Sequence, residues 1–379
     1  MTSRPILVTL LVLTAAAAIG VWWWQTQHVV EGPPTLRPVA FADIPGWQKN
    51  DASPALAAFR RSCDDIRRQS PDRPLGYGTR AADWLPACAA AATAGSARRF
   101  FEDNFRPYAV GAGLVTGYYE PLLQGSLRRH GRYRVPVYAR PDTLISVDLG
   151  AFKPEWQGQK IAGRIEGRRL VPYPSRAEID AHPPADAPVL FYGDDPISVF
   201  FLHIQGSGRV RLDDGLVVRV TYDGQNGHPY TPVGHILIQD YGLPREGMSM
   251  QVIRDWLTAH PSQMRKVLES DASFVFFRAA PVGDAALGPP GSEGVLLTPR
   301  GSIAVDARYN PFGMPVFLAS DGVSGPFIAQ DTGGAIRGPA RADLFYGFGP
   351  EAERSAGGLK AYPDFFFLLP SRAKVAASP

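Results

Sequence analysis

A chain of 379 residues, 45% hydrophobic and 20% charged, has enough apolar material for a large core and is expected to hold two domains, which excludes a disordered or fibrous protein. Its 39 Lys and Arg against 36 Asp and Glu leave a net charge of +3, too small an imbalance to point to a nucleic-acid partner. With 39 Gly and 36 Pro, many short strands joined by turns are favoured over a helical bundle.

The N-terminus reads as an address. After Arg4 an uncharged, almost wholly apolar run extends from Ile6 to Trp24, about the length that crosses a bilayer, and it closes on Trp22, Trp23 and Trp24, a residue type favoured at membrane interfaces. The early positive charges precede the run, so the positive-inside rule puts everything after Gln25 across the membrane. Residues 1–27 are expected to be a signal peptide or signal anchor. Ala15 to Ala18 offer a small-residue cleavage site, while the length of the run favours retention as an anchor. Residues 28–50, rich in Pro from Val29 to Pro45 and without periodicity, read as a tether. Cys63 and Cys88 are the only cysteines; an exported chain in an oxidising compartment usually joins such a pair, the alternative being two buried free thiols. Two cysteines argue against a zinc site.

A helix is expected from Ser53 as N-cap, with Pro54 in its first turn and Leu56, Phe59, Cys63 and Ile66 recurring on one face. A second helical stretch, Pro86 to Ala94, carries Cys88 and stops at Gly95, so a disulfide would pin the two together. A third runs from Ser96 through Phe105 and offers Phe100, Phe101 and Phe105 to the core. After Pro107 the pattern turns to strands. Gly113 to Tyr119 leads into Glu120-Pro121, and Val210–Leu212 and Leu216–Thr221 flank the hairpin signal Asp213-Asp214-Gly215. Helices return at Ser249–Thr258 and Pro261–Glu269. Short strands then follow at Ser273–Arg278, Gly301–Asp306, Pro315–Leu318, Phe327–Gln330 and Phe365–Leu368, the pattern of a small closed or nearly closed barrel.

The usual chemical motifs are missing. There is no His-Glu-x-x-His, no Cys-x-x-Cys and no phosphate-binding Gly-x-x-x-x-Gly-Lys, and Gly111-Ala112-Gly113 has no helix after it to make a dinucleotide fingerprint. Gly206-Ser207-Gly208 lacks the spacing of a nucleophile elbow, and His203, His228 and His235 share no metal-ligand spacing. Carboxylates remain: Asp306, Asp331 and Asp343, each set beside strand-type or aromatic residues. Asp331 follows Phe327, Ile328 and Ala329 and precedes Thr332-Gly333-Gly334, so it sits at a strand end beside backbone that lets another molecule approach. It would equally serve as a turn cap. Carboxylates converging beside aromatics suit glycan chemistry, in which a leaving oxygen needs a proton and sugar faces need flat apolar partners.

Gly117-Tyr118-Tyr119-Glu120-Pro121, the run Phe200 to Gly208, Tyr222-Asp223-Gly224-Gln225-Asn226-Gly227, and the block from Ser302 to Phe348 together resemble the membrane-bound lytic transglycosylase A family, in order and over roughly Phe100 to Pro370. The three aspartates resemble the signature of that family's three-aspartate (3D) domain. The resemblance implies a mainly β protein with several helices and two domains: a double-psi β-barrel domain from residues 51–119 and 271–371, an inserted β-rich domain at 120–270, and a large groove between them for the glycan. It implies cleavage of the β-1,4 bond between N-acetylmuramic acid and N-acetylglucosamine in peptidoglycan, with a 1,6-anhydromuramoyl end as product. Asp331 would be the single general acid and base, because the sugar's own 6-hydroxyl is the nucleophile. Substrate contacts are expected from Tyr119, Glu120, Gln205, Asp343 and Ala335, a supporting role from Asp306 and a structural role from His203, on a strand, while Tyr118 would either line the groove or belong to the core. No metal or organic cofactor is implied. The expected partners are glycan strands, the membrane through the N-terminal segment, and other cell-wall enzymes. The expected location is the periplasm, anchored to the inner membrane or soluble if cleaved; the missing Cys after the apolar run departs from the lipoprotein members. Two rivals stand beside this reading: an aspartic protease, since Asp331-Thr332-Gly333 matches its short signature although it occurs once, and a non-catalytic wall-binding scaffold.

Overall fold

The computed structural model describes residues 34–156 and 159–376, so the apolar N-terminal run lies outside the described residues. Among the described residues no helix is long and apolar enough to cross a membrane. The segment read as a tether packs instead, from Leu36 onward. Arg37–Pro38 pairs with the strand Phe105–Ala112, and Leu36, Ile44 and Trp47 are buried. The Trp47 ring lies 5.1 Å from that of Phe317, and its Nε1 donates to Glu102 Oε1 at 2.7 Å. One indole with both its ring and its N–H satisfied anchors a Pro-rich stretch whose composition alone reads as free chain.

Helix α1 (Ser53–Ile66) is N-capped by Ala52, not Ser53; Asp51 Oδ1 accepts from Ser53 N–H at 2.9 Å, doing from one position earlier what a serine cap would do. Helix α2 (Ala81–Thr93) begins five residues before Pro86. A proline that early removes only one internal hydrogen bond, and Asp83 Oδ2 accepts from Arg80 N–H at 2.8 Å to close the start. Cys63 of α1 and Cys88 of α2 are joined, with Cα atoms 5.4 Å apart. Ala97–Asn104, capped by Ser96, brings Phe100 to 5.4 Å from Phe59, which also meets Phe105 edge-on at 5.5 Å. These helices cover a nine-stranded sheet.

Strands β1 (Leu114–Glu120), β2 (Ser302–Val305), β3 (Ser324–Asp331) and β4 (Arg341–Phe348) carry the site. They are neighbours in the order β3-β2-β4-β1, with β2 parallel to β3, antiparallel to β4, and β4 parallel to β1. Pro315–Ala319, Asp364–Pro370, Phe105–Ala112 and Arg37–Pro38 extend the sheet beyond β3, and Lys360–Ala361 closes it beyond β1. The strand β4 is absent from the sequence reading because Asp343 and Gly347 are poor strand formers; burial of Ala342, Leu344 and Phe345 overrides that.

A second sheet of six strands is built within residues 122–281, from Val275–Pro281 through Val217–Gln225, Ser207–Leu212, Leu122–Ser126 and Val189–Gly193 to Val135–Tyr138. The hairpin around Asp213-Asp214-Gly215 joins two of its strands. The chain passes from one sheet to the other across Pro121, so Glu120 stands at the crossing. The helix Pro196–Gln205 packs on this second sheet, with Leu202 in the same cluster as Leu123 and Val210.

The disulfide closes a separation of 25 residues, for which chain-entropy arguments give about 3 kcal/mol. Reduction, or Cys63→Ala with Cys88→Ala, is expected to lower the unfolding free energy by that order, read from urea unfolding with and without reductant.

Candidate active site

The site is a consequence of register. Asp331 of β3 and Asp343 of β4 both lie opposite Ala304 of β2, and Asp343 lies opposite Thr116 of β1. Residues directly opposite one another point to the same face, so Asp331, Ala304, Asp343 and Thr116 form a row across four strands. The two aspartate Cα atoms are two strand spacings apart, about 10 Å, and only the methyl group of Ala304 stands between them. Tyr118 and Phe345, paired with each other two residues further along, share this face, and with Leu297, Ala304 and Ile336 they make its apolar floor.

A bulge sets the row. Ile303 pairs with Ala329, so regular pairing would set Gln330 opposite Ala304; the register slips by one residue and Asp331 takes that place. Gln330 is wholly buried on the helix side, where its Nε2 donates to Ala58 O at 3.0 Å and Ser62 Oγ at 2.8 Å while its Oε1 accepts from Ser302 Oγ at 2.5 Å.

The two oxygens of Asp331 differ. Oδ1 accepts from Ser292 N–H, Ser292 Oγ–H and Thr332 N–H, each at 2.9 Å, whereas Oδ2 accepts only from Tyr118 Oη–H at 3.0 Å. Burial raises the Asp331 carboxyl above its ordinary range, against the pull of those four donors. Burial pushes Asp343 up to about 6, with Arg341 and the Thr116 hydroxyl (2.8 Å to Oδ1) opposing and Asp331 adding to the rise. Burial and both aspartates hold the Tyr118 phenol well above its usual value, so it is a neutral donor. Arg341 Nη2 donates to Thr116 Oγ1 at 2.9 Å, tying the far end of the row. Since Oδ1 is saturated, a proton on Asp331 belongs on Oδ2. A Cβ built on Gly334 would meet nothing within 4 Å, so the turn after Asp331 leaves open space.

Ser292, which supplies half of the donors to Asp331, lies in the irregular segment between Pro281 and Ser302 and carries no periodic signal. Its neighbour Gly291 is the one local clue: a Cβ there would come within 2.4 Å of Gln330 O, so only glycine lets this segment close onto β3. Tyr118, left open between groove and core, is buried and also reaches Asp331 with its hydroxyl.

The other expected site residues are distributed differently. Glu120 is fully buried, Arg209 Nε donates to its Oε2 at 2.8 Å, and Arg219 donates to Oε1 at 2.6 Å and Oε2 at 3.2 Å. Both oxygens are occupied by guanidiniums that are themselves buried and bonded to the carbonyls of Ala285, Leu287 and Val282. Glu120 is thus a joint at the crossing between sheets, not a surface offered to a sugar. Tyr119 and Gln205 meet each other, the Tyr119 N–H donating to Gln205 Oε1 at 3.1 Å, while the Tyr119 ring is buried against Ala352 and Ala356. Ala335 is exposed on the turn after Asp331. Asp306 is buried, and although burial raises its carboxyl, Arg308 (3.0 and 2.7 Å) and Gly338 N–H (2.8 Å) outweigh that and hold it below the usual range. It fastens the segment after β2 to the segment before β4. His203 lies in the helix Pro196–Gln205, not a strand; its Nδ1 accepts from Val275 N–H at 3.2 Å, and burial lowers its pKa so that it stays neutral.

A sheet carrying this aspartate row, interrupted by a second β-rich unit, defines a class. The MltA specific insert domain model matches residues 114–278, and the 3D domain model matches residues 301–369. The chain is 33% identical over 263 residues to membrane-bound lytic murein transglycosylase A of Escherichia coli K12, covering 65% of this chain and 63% of that protein's length. Its structure is similar to that of a membrane-bound lytic murein transglycosylase from Agrobacterium tumefaciens (31% identity, TM-score 0.78, covering 89% of this chain and 98% of the other). It is similar also to E. coli MltA with bound chitohexaose (27% identity, TM-score 0.65, covering 91% and 97%). The chain belongs to the membrane-bound lytic murein transglycosylase A family, with its insert and 3D barrel domains.

Glu120→Ala would leave two buried guanidiniums without their shared carboxylate and is expected to cost about 3–5 kcal/mol in chemical denaturation. Tyr118→Phe removes a donor that favours the ionised acid, so the Asp331 carboxyl is expected to titrate higher than in the wild type when followed by carbon-13 NMR.

Proposed function

We propose that this chain cleaves the β-1,4 bond between N-acetylmuramic acid and N-acetylglucosamine in peptidoglycan without water, leaving a 1,6-anhydromuramoyl end. The observation that carries the reading is the asymmetry of Asp331: one oxygen saturated by three donors, the other lightly held and facing the row, on a carboxyl whose proton is favoured by burial. Asp331 gives its Oδ2 proton to the glycosidic oxygen as the bond to the anomeric carbon breaks. The muramoyl 6-hydroxyl then bonds to that carbon and returns its proton to Oδ2, so the acid is regenerated and no water is consumed. The intramolecular hydroxyl has a high effective concentration, which is why a second catalytic carboxyl is not required. Asp331 and Asp343 face each other across Ala304, and the Asp331 charge adds to the burial that raises Asp343.

The family and the glycan-bound E. coli relative support a glycan strand as ligand. We place it along the row, in a groove between the two domains. The sequence from Ile6 to Trp24 supports delivery of the domains to the periplasmic side of a membrane, and the E. coli relative is named as membrane-bound.

Asp331→Asn keeps size and shape but has no proton to give. The full chain incubated with purified peptidoglycan is expected to release muropeptides one water lighter than hydrolase products, and the variant to lose about a hundredfold or more of that rate while still binding the sacculus. Full-weight reducing sugars, or cut peptides on intact glycans, in the mass spectrum would replace this reading with a hydrolase or a protease.

A further inference from the structure

Behind the row, on the helix side of β3, lies a carboxyl that the proposed reaction does not use. Glu293 is 9% exposed. Ser62 Oγ–H of α1 donates to its Oε2 at 2.8 Å, and no donor among the described residues reaches its buried Oε1. Its own N–H donates to Gln330 O at 3.1 Å, and Ser62 Oγ accepts from Gln330 Nε2 at 2.8 Å. Glu293 follows Ser292 directly in sequence, and Gln330 precedes Asp331 directly. The two segments that meet at the Asp331 carboxyl are therefore fastened to α1 through one buried cluster.

We propose that Glu293 is a positioning residue for Asp331: through Ser62 and Gln330 it clamps to α1 both the segment that presents Ser292 and the bulge that aims Asp331, and ionising it loosens the clamp. Burial pushes its carboxyl up to about 8, with Asp65 adding to the rise and Ser62 and Gln330 opposing it, so the acid is neutral at neutral pH. An ionised carboxylate there would have one oxygen with no donor and no cation to offset it. From α1 the groups facing it are Ser62 and Asp65; Arg61 directs Nη1 to Ala57 O (2.9 Å) and Thr298 Oγ1 (3.2 Å) instead. From β3 they are Gln330 and, beyond it, Asp331. The turn 311–314 brings no charge, only Gly313, where a Cβ would stand 3.5 Å from Oε1.

The activity readout rests on the transglycosylase reading above; a second readout does not. Glu293→Gln keeps the shape of the neutral acid and removes its titration. In the wild-type full chain, kcat is expected to fall several-fold as pH rises from about 7 to about 9 with KM steady, and that fall is expected to be absent in Glu293→Gln. The carbon-13 resonance of the Asp331 carboxyl should show a second step near pH 8 in the wild type and none in the variant. A shared alkaline fall with no carbon-13 step would overturn the clamp. A step at Asp331 in a chain with no glycan-cleaving activity would keep the clamp and remove the reaction. Melting temperature followed over the same range gives the sign of the linkage. The native state holds a proton that the unfolded carboxyl releases near 4.5, so Glu293 stabilises most at low pH and that contribution is lost progressively towards about 8. A wild-type profile no steeper than that of Glu293→Gln would also overturn the proposal.

Discussion

Gln330 is the residue for which β2 has no partner. Because its amide is tied to Ala58 and Ser62 of α1, it stays out of the strand alternation, and Asp331 is left to share Ala304 with Asp343. Without that slip Asp331 would lose its register with Asp343 and Thr116. The N-terminal helix is therefore part of the site although it contributes nothing to its open face. The disulfide between α1 and α2, and the aromatic packing of Phe59 on Phe100 and Phe105, hold the helix that holds the bulge.

A single strand then links the row to the second sheet. Along β1 the side chains of Thr116, Tyr118 and Glu120 alternate to one face, and they serve Asp343, Asp331 and the Arg209–Arg219 pair in turn. A buried carboxylate between two guanidiniums is weak evidence for stability, since its desolvation offsets much of its attraction. Its geometry is nevertheless strict. It fixes the strand end, and with it the phenol of Tyr118, relative to the second sheet, while the Tyr119 N–H also donates to Gln205.

Residues in regular elements were the legible ones. Alternation, glycine-bounded turns and helical spacing located most strands and helices, the Asp213-Asp214-Gly215 hairpin, and Asp331 at a strand end. Three kinds of residue were hidden. Ser292 acts from irregular chain, where no period applies. Tyr118, left open between groove and core, and Glu120, expected at the glycan, have their places decided by partners brought from 213 and 89 residues away. Trp47 turned a Pro-rich stretch into packed structure through Phe317 and Glu102, partners that the local sequence does not announce.

Two acids on one face also set how the row holds its protons. Asp331 and Asp343 each raise the cost of ionising the other, so the row releases its protons in two steps belonging to the pair. Arg341 sits beside Asp343, while Asp331 has only neutral donors. Burial raises both carboxyls, Asp343 to about 6, and the Asp331 charge adds to the rise at Asp343. A proton on Asp331 has its place on Oδ2, because Ser292 and Thr332 fill Oδ1. Arg341 acts at the far end of the row, where it opposes the rise at Asp343 and ties Thr116, while Asp331 is held by the neutral donors Ser292, Thr332 and Tyr118.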